Sequence, residues 1–257
     1  MGFWRGISAY FFLLFCALSA SPAFATTVNS DVSADTTWNL AGSPYNITKS
    51  DFTVDAGATL TIEPGVTLNI TSTFIVKGRL IASGTSDAHI TFQALSGTWN
   101  YLYFNNNTCA TPTNNTLNYT DFTNMTAYVY TYRHNLSIDH ANITTNGTTA
   151  YAVGSYGNLV TACPATLSLQ NSTINFTTSN SGNAAAIKLD GTPATLSNNT
   201  ITVNSSATNY ISAVDLIISN TSDYSATVNQ NTINVTASDA DMQYTYGIKV
   251  ASGVDVS

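Results

Sequence analysis

Leu167-Ser-Leu169-Gln-Asn-Ser-Thr-Ile174 is the segment on which the reading of this chain turns, because it recurs. Its companions are Leu136-Ser-Ile138-Asp-His-Ala-Asn-Ile143, Ala194-Thr-Leu196-Ser-Asn-Asn-Thr-Ile201 and Ala226-Thr-Val228-Asn-Gln-Asn-Thr-Ile233. The aligned isoleucines are 31, 27 and 32 residues apart, and a weaker copy begins at Leu117-Asn-Tyr119. Each copy is apolar or small seven and five positions before its isoleucine, and polar three before it, at His140, Asn171, Asn198 and Gln230. Phe176, Val203 and Val235 add an inward position two after it. Alternation with period 2 marks a strand with one buried face. The break in phase at the polar residue predicts a bend between two strands, with the four polar residues forming a corner ladder. One such coil cannot bury its apolar face alone, whereas stacked coils can, so the repeat predicts a solenoid.

A second block follows in each copy: Ala186-Ile187-Lys188-Leu189, Ala213-Val214-Asp215-Leu216 and Gly247-Ile248-Lys249-Val250, with Tyr151-Ala152-Val153 as the earlier counterpart. The pattern is small, apolar, outward, apolar. In a parallel stack Lys188, Asp215 and Lys249 fall one strand spacing apart, ~4.8 Å, and are expected to form a solvated ladder of alternating charge. The stretches between the blocks vary in length, and variable loops on one side of a solenoid are the usual place for binding. One of them, Ser238-Asp239-Ala240-Asp241-Met242-Gln243-Tyr244, holds two carboxylates, a weak signal for Ca²⁺. No other cofactor and no metal set is indicated.

Composition narrows the function classes. Only 8% of the 257 residues are charged, 44% are hydrophobic and 11% aromatic, so the chain packs rather than remaining disordered. Strand formers dominate, and Glu63 is the single glutamate. The net charge of −7, with few and scattered Lys and Arg, excludes the basic stripe that nucleic acid requires and disfavours anionic membranes. Residues 1–25 read as an export signal: Arg5, an apolar run from Ile7 to Leu18, then Ala23-Phe24-Ala25 before a mature start at Thr26. The run is shorter than the ~20 residues of a membrane span, and no later segment is apolar enough to cross. A secreted or cell-surface location follows, in a compartment that permits a disulfide between Cys109 and Cys163; paired and free thiols both remain open.

Residues 38–104 carry a more specific pattern. Val54-Asp-Ala-Gly57-Ala-Thr-Leu60-Thr-Ile-Glu63-Pro-Gly65-Val66 is followed by Lys77-Gly78-Arg-Leu80-Ile-Ala82-Ser-Gly84-Thr85, by His89-Ile-Thr-Phe92, and by Trp99-Asn-Tyr101-Leu-Tyr103-Phe104. Its glycines mark turns between short alternating strands. This stretch resembles the first coils of bacterial secreted parallel β-helix proteins of the pectin-lyase-like superfamily. The resemblance implies an all-β, right-handed parallel β-helix of three sheets, with residues 26–50 as an N-terminal cap, 51–104 as first coils and 117–253 as repeat coils. Relatives of this kind include adhesin-like surface proteins, polysaccharide lyases and glycoside hydrolases, so the fold alone does not choose. The chain stops at Ser257 directly after a coil, and solenoids need end caps, so it reads as a piece of a longer protein.

Chemistry is harder to find. Arg133-His134 with Asp139-His140 is the densest polar patch, and Arg133, Asp139 and His140 are the candidate catalytic set if the protein is an enzyme. Asp139 and His140 also flank the corner, where polar residues satisfy backbone groups. Asp190 and Asp215 are a conceivable carboxylate pair, although Asp190 precedes Gly191 in a turn-like context. Asn199 and Asn231 are expected to join the corner ladder through side-chain amides. Many Asn-x-Ser/Thr triplets occur, as chance dictates in so Asn- and Thr-rich a chain. Tyr101, Tyr103, Tyr128, Tyr130 and Tyr132 either pack or form a sugar-stacking platform, with three rings on one face of Tyr128-Val-Tyr130-Thr-Tyr132. The reading favoured by this sequence is a structural or adhesive β-helix, not an enzyme, that binds an extracellular glycan or a surface protein. The alternative is a polysaccharide-degrading lyase or hydrolase.

Overall fold

In the computed structural model, which describes residues 24–105, 113–156, 165–180, 182–206, 209–217, 224–237, 244–250 and 254–256, the period-2 segments are short strands in three parallel sheets of eight, nine and nine. One coil shows the path: Val129–Tyr132 in the first sheet, Asn135–Asp139 in the second, Asn142–Gly147 in the third, then Tyr151–Tyr156 back in the first, one level up. Repetition of this path gives a right-handed parallel β-helix. Residues 26–50, read as a cap, carry strands of their own. Thr26–Val28 pairs with Tyr45–Ile47 in the third sheet, and Thr36–Trp38 pairs with Thr59–Ile62 in the second.

Register converts the sequence repeat into a core. Ile143, Ile174, Ile201 and Ile233 are successive register partners, as are Ile138, Leu169, Leu196 and Val228. Each coil therefore lays its apolar residues on those of the coil before. Ile143, Ile174 and Ile201 are fully buried, each contributing about 1.5–3 kcal/mol. The earlier coils are filled by aromatic rings: Phe52 meets Phe74 and Phe92 meets Phe122, both at 4.8 Å between centroids. The parallel sheets bury their inner face up to the last described coil, where Val228, Ile233 and Val235 are partly buried and Ile248 is exposed, and Asn, Thr and Tyr fill the outer face.

The corner between the second and third sheets is a left-handed residue. His140, Asn171, Asn198 and Gln230 have φ of 52°, 49°, 57° and 53°, and Tyr119 has 47°. One residue in this conformation turns the chain and restores the alternation. The backbone amides of His140 and Asn171 then donate to Gln170 and Ser197 carbonyls of the next coil, at 3.2 and 3.0 Å. The buried side-chain ladder runs one residue later than these four positions, while on the outside Asn171 Nδ2 donates to Asp139 Oδ1 of the preceding coil at 2.8 Å. Ser172 and Asn199 are buried, and Asn199 Nδ2 donates to Leu169 O and Asn231 Oδ1, both at 2.9 Å. Asn199 Oδ1 accepts the Ser172 amide at 3.0 Å, and Ser172 Oγ accepts the Ala141 amide at 3.0 Å. The reason is geometric. The left-handed residue throws its own side chain outward, and the following one points into the cleft between coils.

Candidate functional site

Ten of the 14 tyrosines stand on the first sheet or at the start of its strands. They come from Tyr101–Asn105, Val129–Tyr132, Tyr151–Tyr156, Tyr210–Ile217 and Tyr244–Val250. Inward positions of the first sheet hold Leu102, Val129, Val153, Ile187 and Val214, all fully buried, so alternation sends Tyr101, Tyr103, Tyr128, Tyr130, Tyr132 and Tyr156 outward, whereas Tyr151, Tyr210, Tyr244 and Tyr246 share the parity of Val153, Val214 and Ile248. Successive coils then stack them. Tyr101 and Tyr128 lie 5.3 Å apart at an interplanar angle of 12°, and Tyr128 and Tyr151 lie 4.8 Å apart at 27°. Tyr103 meets Tyr130 at 5.5 Å, and Tyr132 meets Tyr156 at 5.6 Å. The Arg133 guanidinium sits 4.5 Å over the Tyr132 ring.

Burial, reinforced by Tyr132, Tyr128 and Tyr101, pushes the Tyr103 phenol up to about 12. Burial followed by neighbouring phenols pushes Tyr130 and Tyr151 up further, and burial also raises Tyr128. The face is therefore a sheet of neutral, half-buried phenols. Such rings offer apolar area and a hydroxyl donor together, with little side-chain entropy left to lose.

The stack is interrupted at Gly154. The outward column runs Tyr103, Tyr130, Gly154, Lys188, Asp215, Lys249 in successive coils. A Cβ at Gly154 would lie 2.4 Å from Tyr130 Cδ2 and 2.7 Å from Tyr151 Cε2, so the two rings close over bare backbone. Beside this column, Tyr132, Tyr156 and Asp190 are register partners. Tyr130, Tyr151, Ser155, Tyr156, Lys188 and Asp190 line a shallow, open depression of about 50 Å³. It is smaller than the roughly 300–1,000 Å³ clefts that enclose whole small molecules.

The expected charge ladder occupies this same column but is not solvated throughout. Asp215 is only 2% exposed. Lys249 Nζ lies 3.2 Å from its Oδ1, Tyr210 donates to its Oδ2 at 2.8 Å, and the Lys249 ammonium sits 4.2 Å over the Tyr210 ring. Desolvation alone would lower the Lys249 ammonium, but bonding to Tyr210 and Asp215 outweighs it, and the net shift is upward. Lys188 leans instead toward Tyr151, 5.8 Å from its ring centre. Asp215 thus turns toward Tyr210 and Lys249, while Asp190 faces the depression.

The candidate catalytic residues do not converge. Arg133 lies at the left-handed corner before the strand Asn135–Asp139 and Asp139 at its far end, with the strand's roughly 13 Å between them. His134 is fully buried at the first corner, with Thr113 Oγ1 and Asn115 Nδ2 against its Nδ1, and burial lowers its basicity. Asp139 and His140 remain together, 3.0 Å apart and about two-fifths exposed. His140 stacks on Tyr119 at 4.5 Å. On the other side of Tyr119 stands His89, 3.0 Å from Asp121. That second His–Asp pair joins residues 32 apart in sequence, and only the coil register, which pairs Thr91 with Asp121, reveals it.

Cys109, Cys163, the leader 1–23 and residues 238–243 lie outside the described residues. Among the described residues, no three His, Cys, Asp or Glu side chains gather as a metal site, and no helix is long and apolar enough to cross a membrane. Comparison with protein-family models, curated proteins and solved structures finds no match.

Proposed function

We propose that this chain is an exported, extracellular or surface-held β-helix that binds glycan through the tyrosine face of its first sheet. The export reading rests on the leader pattern around Arg5 and Ala23-Phe24-Ala25. The likeness of residues 38–104 to pectin-lyase-like β-helices belongs to the same proposal and supports a sugar-facing role. The observation that carries the binding reading is the run of Tyr101, Tyr128 and Tyr151 through three coils, with Tyr103 and Tyr130 beside it. Phenols stacked from coil to coil along a rigid scaffold suit a long polymer with flat, hydroxyl-rich units. A globular surface protein would not need a row running with the solenoid axis.

The test is affinity electrophoresis of the full chain through gels containing a panel of soluble polysaccharides, with and without Ca²⁺. Retardation by at least one polymer, relieved in Tyr101→Ala/Tyr128→Ala, is the expected result. Normal migration in every gel, from protein shown to be folded by circular dichroism, would sink it. Release of reducing ends or unsaturated products, lost in Asp139→Ala or His140→Ala, would replace binding with degradation and move the site to the Tyr119 corner.

A further inference from the structure

Resting on that reading, we propose that the depression at Gly154 is a subsite for one neutral sugar unit with adjacent hydroxyls. Its ring lies against Tyr130 and Tyr151, and its hydroxyls bridge Lys188 and Asp190. Four observations lead there. First, Gly154 interrupts an otherwise continuous outward column, and the rings of Tyr130 and Tyr151 close over it where any Cβ would collide. The floor is therefore aromatic and set by the absence of a side chain. Second, Lys188 and Asp190 are two residues apart on the strand Ala184–Asp190, so both point outward, about 6.6 Å apart along the chain. That separation leaves room for two neighbouring hydroxyls between them.

Third, the two charges are opposite. A uronate carboxylate would gain from Lys188 and be repelled by Asp190, and a cationic sugar would meet the reverse. A neutral diol suits both, because a hydroxyl accepts from the ammonium and donates to the carboxylate, which has acceptor sites to share. Fourth, the depression is too small for more than a single ring, and its wall residue Tyr151 stacks on Tyr128 of the Tyr101–Tyr128 row. A chain threaded there continues over stacked phenols. The row supplies general polymer affinity, and the Gly154 site reads one unit of it.

Calorimetric titration of the full chain with short linear oligosaccharides separates these roles. The probes are neutral hexose oligomers (gluco-, manno- and galacto-configured) and oligogalacturonate as the anionic counterpart. We expect at least one neutral oligomer to bind more tightly than the uronate. Lys188→Met and Asp190→Asn should each weaken it by roughly tenfold or more, as loss of a hydrogen bond to a charged group does. Gly154→Ser should weaken it too, while Asn175→Ala, exposed on the third sheet, should not. Circular dichroism and the thermal midpoint establish that each variant is folded. Wild-type affinity in both Lys188→Met and Asp190→Asn would overturn the subsite, as would preference for the uronate. If polymer retardation by the Tyr101–Tyr128 row survives those results, only the subsite falls. If the wild type binds no glycan at all, both proposals fall together.

Discussion

Asn199 and Asn231, 32 residues apart in sequence, are joined side chain to side chain: Asn199 Nδ2 donates to Asn231 Oδ1 at 2.9 Å, and the same oxygen accepts the Asn199 backbone amide at 2.9 Å. Asn231 Nδ2 then donates to Leu196 O at 2.8 Å, one coil back. Each amide thus serves two coils, and removing one leaves buried groups on both unpaired. Asn199→Ala strands the Ser172 amide and the Leu169 carbonyl. At about 1–3 kcal/mol for an unsatisfied buried group, the variant is expected to lose about 2–4 kcal/mol in chemical denaturation. A loss no greater than that of an exposed control such as Asn175→Ala would show that the ladder contributes nothing.

The neighbouring corner position behaves in the opposite way. Gln230 has φ of 53°, a conformation that costs an ordinary L-residue about 1–2 kcal/mol and glycine almost nothing. Gln230→Gly should therefore be neutral or stabilising by up to about 1 kcal/mol, the gain being reduced by glycine's greater unfolded-state entropy. Gln230→Val should be clearly destabilising, because β-branched residues tolerate this region worst. Thermal midpoints of the two variants, ranked against wild type, decide the matter. Valine at or above glycine would mean that the corner is not held left-handed in solution.

These two positions show what the sequence discloses and what it withholds. Ile143, Ile174, Ile201 and Ile233 announce the inward column because alternation fixes parity within a strand. Asn198 and Asn199 are both polar and straddle a corner, where parity resets, so composition cannot say which amide points between coils. Asp215 presents the same difficulty. Its place between Val214 and Leu216 predicts an outward carboxylate, and it is outward from the core. Its burial comes from Tyr210 and from Lys249, 34 residues on, which fold over it. The tyrosine row was half legible: Tyr128, Tyr130 and Tyr132 share a face by alternation alone. Their stacking on Tyr151 and Tyr156, and the opening at Gly154, depend on coil-to-coil register, which no local pattern encodes.

The phenols of the first sheet should titrate late. A tyrosine in an unfolded chain ionises near pH 10. Tyr103 is raised to about 12, and Tyr130 and Tyr151 are raised beyond it. The folded state favours the neutral phenols, so their contribution is intact below pH 10 and is lost as the pH climbs through about 12. Tyrosinate absorbance should show a group of phenols resisting ionisation until the fold opens, with circular dichroism changing over the same interval. Smooth titration of every tyrosine near pH 10, with the fold retained, would contradict the buried stack.

Lys249 and Asp215 carry the last prediction. Asp215 is 2% exposed and its carboxylate is held by Lys249 Nζ at 3.2 Å and by Tyr210 at 2.8 Å. Breaking a buried pair by deleting one partner costs about 3–5 kcal/mol, because a charge is left without compensation. Lys249 is partly exposed and Tyr210 stays in place, so Lys249→Met should cost less, about 1–3 kcal/mol. Adding Asp215→Leu removes the stranded carboxylate and puts an apolar side chain beside Tyr210. The double variant should therefore recover most of the loss, giving a coupling energy opposite in sign to additivity. Chemical denaturation of the two single variants and the double variant supplies the cycle. Additive losses would mean that Lys249 and Asp215 do not sense one another, and that the middle of the outward column is wet.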